Sequence, residues 1–165
     1  PSDPAWAITA GHIHVGSQLT KARARAATRE TLRQVMDYVD QVLPTETCQT
    51  DLGFGGPGDV TLSLCGDPLA TGRTSQLALD GAPAHANLVL ALSLVATPTP
   101  FKGGQLVPVP VVGLLPAVAD ADGGLALAVP GGGGPALVYV QAVVDDPSQT
   151  AGYALSNALV LDVLR

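Results

Sequence analysis

Between residues 86 and 112 (ANLVLALSLVATPTPFKGGQLVPVPVV) the apolar positions are dense on both parities of an extended chain. Leu88, Leu90, Leu92 and Leu94 fall on one face of a strand, and Val89, Ala91, Ser93 and Val95 on the other, so both faces are predicted buried and the strand central to a core. It ends at Thr97-Pro98-Thr99-Pro100, turns at Lys102-Gly103-Gly104, and resumes at Leu106 with prolines at every second position, which marks an edge.

The same two-residue period predicts strands over 60–64, 75–79, 87–96, 105–109, 111–117, 125–129, 137–144 and 158–164, separated by turns at 80–83, 122–124 and 131–134. In the last strand Leu159, Leu161 and Val163 face inward and Asp162 outward. Residues 21–43 behave differently. Leu32, Val35, Met36, Val39, Val42 and Leu43 recur at helical spacing, predicting one helix with a core-facing stripe, Thr20 as its N-cap and Pro44 as its stop. Residues 1–18 alternate again. Trp6, Ile8 and Ala10 share one face, and a bulge at Gly11 moves Ile13 and Val15 to the other parity. No hairpin partner follows, and burial of Trp6 alone is worth about 4–6 kcal/mol, so this segment must dock somewhere. The pattern as a whole predicts a mainly β chain: an immunoglobulin-like antiparallel β-sandwich over 45–165, a helix over 19–44, and an N-terminal strand extension over 1–18.

Composition narrows the class. Only 13% of the 165 residues are charged and 4% aromatic, with 19 Gly and 14 Pro, as in turn-rich exported β proteins. A net charge of −6 provides no basic stripe for nucleic acid. The charge is uneven, however: residues 1–33 sum to +3 through Lys21, Arg23, Arg25, Arg29 and Arg33, and the remainder to −9. Such ends can steer head-to-tail association of copies; a merely solvated helix face is the alternative. The longest apolar run, 106–119, is too short to span a bilayer and is broken by Pro108, Pro110, Gly113 and Pro116. The chain opens at Pro1 without a leader, which reads as a processed form located outside the cell or on its surface.

Cys48 and Cys65 bracket a Gly-rich loop with no histidine beside either. A disulfide is the favoured reading, two buried free thiols the alternative. His12 and His14 share a strand face, but no third ligand lies near them and His85 is the one remaining histidine, so neither metal nor cofactor is expected. Asp120-Ala121-Asp122-Gly123 lacks the later ligands of a calcium loop and reads as a hairpin turn. No nucleophile elbow, Cys–His pair or His-Glu-x-x-His helix is present, and the chain is not expected to be an enzyme.

Asp51-Leu52-Gly53 with Gly56-Pro57-Gly58, Leu64-Cys65-Gly66-Asp67-Pro68-Leu69, Leu79-Asp80-Gly81-Ala82-Pro83, Pro98-Thr99-Pro100-Phe101-Lys102-Gly103-Gly104, Leu106-Val107-Pro108, Tyr139-Val140-Gln141 and Leu155-Ser156-Asn157-Ala158 occur in an order and spacing that resembles a C-terminal module of uncharacterised secreted bacterial proteins. The resemblance runs from Cys48 to Leu164 and implies a small β-sandwich without assigned chemistry. A sandwich preceded by a strand-like extension is also similar in architecture to pilus subunits built by donor-strand exchange, in which one subunit's N-terminal strand completes its neighbour. That likeness is carried by Pro4–Val15, not by a motif, and departs from the pilin pattern in the intervening helix. It implies a fibre subunit whose partners are copies of itself, with Trp6, Ile8, Ala10, Ile13 and Val15 as the inserted face. A monomeric secreted module binding carbohydrate or protein is the alternative.

Overall fold

The computed structural model describes residues 20–42 and 47–165. The chain divides into two compact units, Pro1–Thr45 and Glu46–Arg165. In the first, helix α1 spans Lys21–Val42. Its alanine-rich opening favours helix, and Thr20 caps it: the Arg23 N–H donates to Thr20 Oγ1 (3.5 Å) and the Ala24 N–H to the Thr20 carbonyl (2.9 Å). The predicted core-facing stripe is corrected at Leu32, Val35 and Met36, which are not buried but exposed, as is Tyr38. The side chains of Val39, Val42 and Leu43 lie outside the described residues. Pro44 lies outside the described residues, as do the five apolar positions of the predicted donor strand.

The second unit is mainly β, with antiparallel pairing between all its named strands: β1 (Thr47–Cys48), β2 (Thr50–Gly53), β3 (Thr61–Gly66), β4 (Thr74–Asp80), β5 (Asn87–Ser93), β6 (Thr99–Phe101), β7 (Gly104–Leu106), β8 (Gly113–Val118), β9 (Leu125–Pro130), β10 (Ala136–Asp145) and β11 (Tyr153–Val163). One sheet has the order β1-β3-β4-β9, another β2-β11-β10-β5-β8, and β6-β7 form a separate hairpin. Leu62 and Leu64 of β3, Leu77 and Leu79 of β4, Leu88 and Leu90 of β5, Val140 and Val144 of β10, and Leu159 and Leu161 of β11 form a single hydrophobic cluster shared by the two larger sheets.

β5 is paired on both sides and buried on both faces through Ser93, in line with its uninterrupted apolar run. Its predicted continuation is corrected: Leu94 and Val95 lie beyond the sheet and are exposed. Beyond β5 the chain folds back on itself, and its returning strand β7 packs against β11. Lys102 and Gly103 both have positive φ (50° and 92°) and close a two-residue turn between β6 and β7, so Thr99–Phe101, expected to be a bare turn, is a strand. The following Val107 and Pro108 are buried.

Gln141, fully buried in β10, holds this returning segment. Its Oε1 accepts from the Val107 N–H (2.9 Å), and its Nε2 donates toward the carbonyls of Ser156 (2.8 Å), Gln105 (3.0 Å) and Phe54 (3.2 Å). Ser93 Oγ adds a bond to the Pro110 carbonyl (2.7 Å). Gly104 approaches the Gly56 backbone so closely that any Cβ there would collide with it. The register of β10 and β11 shifts between Gln141 and Val143, and Ser156 Oγ accepts the Ala142 N–H at that irregularity (2.9 Å). Asn157 then reaches β3 as a surrogate strand residue, accepting from the Leu62 N–H (2.7 Å) and donating to the Leu62 carbonyl (2.9 Å).

Candidate functional site

Both larger sheets end in strands that carry a proline. β8 pairs with β5 on one side, and Pro116 sits opposite Val89; β9 pairs with β4, and Pro130 sits opposite Thr74. Proline cannot donate to a ladder, so these strands belong at edges. Between them lies an apolar cleft of about 320 Å³, lined by Leu77 of β4, Leu90 and Leu92 of β5, Leu115 of β8, Leu127–Pro130 of β9, Val140 of β10 and Leu161 of β11. None of these side chains is charged. The cleft reaches the surface along Leu115, which is 47% exposed although it points toward the shared core. Leu114 and Val118, on the opposite face of β8, are exposed as well. Water is a poor filling for such a space, and apolar side chains from another segment are a good one.

A second cleft of about 510 Å³ is lined by Asp51, Gly55, Gly56, Gly58, Asp59, Val60, Thr61, Leu62, Leu155 and Asn157. Its polar groups are partly spent within the fold: Asp51 Oδ1 accepts the Gly53 N–H (2.7 Å), and the Asn157 amide is paired with Leu62. The Asp120 carboxylate, at the turn between β8 and β9, is likewise turned to the backbone, its Oδ1 accepting from the Asp122 (2.9 Å) and Gly124 (2.8 Å) N–H groups. The hairpin turn expected here is corrected: the turn links β8 and β9, which belong to different sheets and do not pair with each other. In the loop after β10, hydrogen bonds from Ser148 and then Gln149 hold the Asp146 carboxyl below its ordinary pKa.

No family model, curated protein or solved structure matches the chain.

Cys48 and Cys65 face one another across the β1–β3 pair and are joined by a disulfide, with Cα atoms 4.0 Å apart. The basic residues lie on α1 and are exposed. Lys21, Arg25, Arg29 and Arg33 follow an i, i+4 stripe, from which Arg23 departs. Trp6, Ile8, Ala10, Ile13 and Val15, together with His12 and His14, lie outside the described residues. Among the described residues no three His, Cys, Asp or Glu side chains are grouped to hold a metal, and no helix is long and apolar enough to cross a membrane. The cleft between β8 and β9 went unread in the sequence. Its only sequence trace is the prolines, which mark both strands as edges without saying that the edges face one space.

Proposed function

We propose that the protein is a structural subunit of an extracellular bacterial fibre, in which the segment around Pro4–Val15 of one copy inserts as a β-strand into the β-rich unit of the next. In this reading the Glu46–Arg165 unit is an immunoglobulin-like sandwich one strand short, related to the secreted bacterial modules that its motifs resemble. The observation that carries the reading is the apolar cleft that the described residues leave between two edge strands. Strand insertion supplies both things the cleft lacks, alternating apolar side chains and backbone partners for an edge. Because donor and acceptor are different surfaces, the contact is heterologous and builds an open filament. The disulfide is compatible with an oxidising location outside the cell.

The test is the full-length chain carrying Trp6→Asp and Ile8→Asp, compared with the unaltered chain by sedimentation and electron microscopy. Filaments are expected from the unaltered chain and folded monomers from the variant. Filaments of native form from the variant overturn the proposal.

A second reading, a monomeric secreted binding module, is favoured by the cleft of about 510 Å³ beside Asp51 and Asp59. An unaltered chain that stays monomeric at every concentration selects it.

A further inference from the structure

We infer that the strand inserted from a second copy pairs with β9, and not with β8, and that Ala126 and Ala128 are the residues that receive its backbone. This inference rests on the strand-insertion reading above. Two edges border the cleft, and their hydrogen-bonding parity distinguishes them.

In an antiparallel pair, alternate residues direct their N–H and C=O groups to the partner and the residues between them direct theirs away. The Gly131 N–H donates to the Arg73 carbonyl (2.9 Å) next to the Thr74–Pro130 pair, which makes Leu125, Leu127 and Val129 the residues that bond β4. The backbone groups of Ala126 and Ala128 are thereby directed to the edge that has no strand partner among the described residues, followed by the Pro130 carbonyl. Likewise the Ala119 N–H donates to the Ala86 carbonyl (2.9 Å) next to the Asn87–Val118 pair, so Leu115 and Ala117 bond β5, and Leu114, Pro116 and Val118 face outward. The free edge of β8 thus has its missing donor at the middle position. That of β9 has it at the end.

The side chains point the same way. β9 contributes Leu127, Ala128, Val129 and Pro130 to the lining, whereas β8 contributes only Leu115. A strand laid along β9 sets its inward side chains beside Leu127 and Val129, inside the cleft. The outward residues at this edge, Ala126 and Ala128, are exposed and small, so they leave the incoming backbone clear. The occupant is the 4–15 segment of another copy. Its Trp6, Ile8 and Ala10 alternate with Ala7 and Thr9, which matches the two-residue period of β9 with the large side chains inward.

Hydrogen exchange on the full-length chain, before and after assembly, tests the assignment. Assembly should slow exchange at the amides of Ala126 and Ala128 by about tenfold or more while leaving Leu114 and Val118 unchanged. Ala128→Pro, which removes a free-edge donor and no bond to β4, should prevent filament formation, whereas Leu114→Pro should not. New protection at Leu114 and Val118 with none at Ala126 and Ala128 overturns the β9 assignment while the fibre reading stands. A native chain that never assembles overturns both.

Discussion

A glutamine in a fully buried strand is tolerated only when its amide is paired, and Gln141 meets that condition by bonding four backbone groups drawn from widely separated parts of the sequence. It takes the place of a strand partner for a segment whose prolines forbid a regular ladder. Gln141→Leu keeps much of the volume but leaves the Val107 N–H and the carbonyls of Phe54, Gln105 and Ser156 without that partner. The expected loss is about 3 kcal/mol or more, read as a fall in the urea unfolding midpoint. Val138→Ala, in the same strand and only half-buried, removes packing and no hydrogen bond, and should cost less. Asn157 belongs to the same class of residue. Both were legible only as polar interruptions of apolar runs, because a sequence shows that a buried amide needs partners without showing which backbone will provide them.

Among the elements, β1 is the most dependent on a covalent tie. It is two residues long, exposed, and bonded to β3 around the Cys48–Cys65 bridge. In the chain-entropy model a loop of this size contributes about 3 kcal/mol. Reduction followed by alkylation should therefore lower the unfolding midpoint by an amount equivalent to about 3 kcal/mol, and peptide mapping of unreduced protein should recover the Cys48 and Cys65 peptides joined. The regular strands needed no such help to be read. Leu125–Pro130 shows its inward face in simple alternation, as does β11 over Leu159–Val163, and α1 shows its cap at Thr20. Tyr153–Asn157 of β11, where three successive residues are buried beside a register shift, was not read as strand. The short strands β1, β2 and β6 carry too few residues for a period to register. Pro98 and Pro100 actively suggested a turn where β6 runs, because proline's effect on a ladder depends on which side of the strand is paired.

At the scale of the whole molecule, charge is divided between the two units. The Lys21–Arg25–Arg29–Arg33 stripe places like charges at i, i+4, which costs the helix about 0.2–0.5 kcal/mol per pair. The β-rich unit carries the acidic excess. If α1 meets that surface on a neighbouring copy, attraction between them guides encounter, and the initial rate of assembly should fall several-fold between low salt and about 0.5 M salt. Light scattering measures this directly, and a rate indifferent to salt leaves the stripe as solvated surface. The sequence by itself determined what local interactions determine: a capped helix, strands with defined inward faces, turns at Gly, Pro and Asp, and a cysteine pair close enough to bridge. The tertiary structure decided which strands are neighbours, that the chain beyond β5 returns to be held by Gln141, and that β8 and β9 stand on either side of one open cleft. Those outcomes depend on hydrogen bonds and apolar contacts between residues far apart in the chain. Alternation along a strand specifies which face is apolar, but not what the strand lies against.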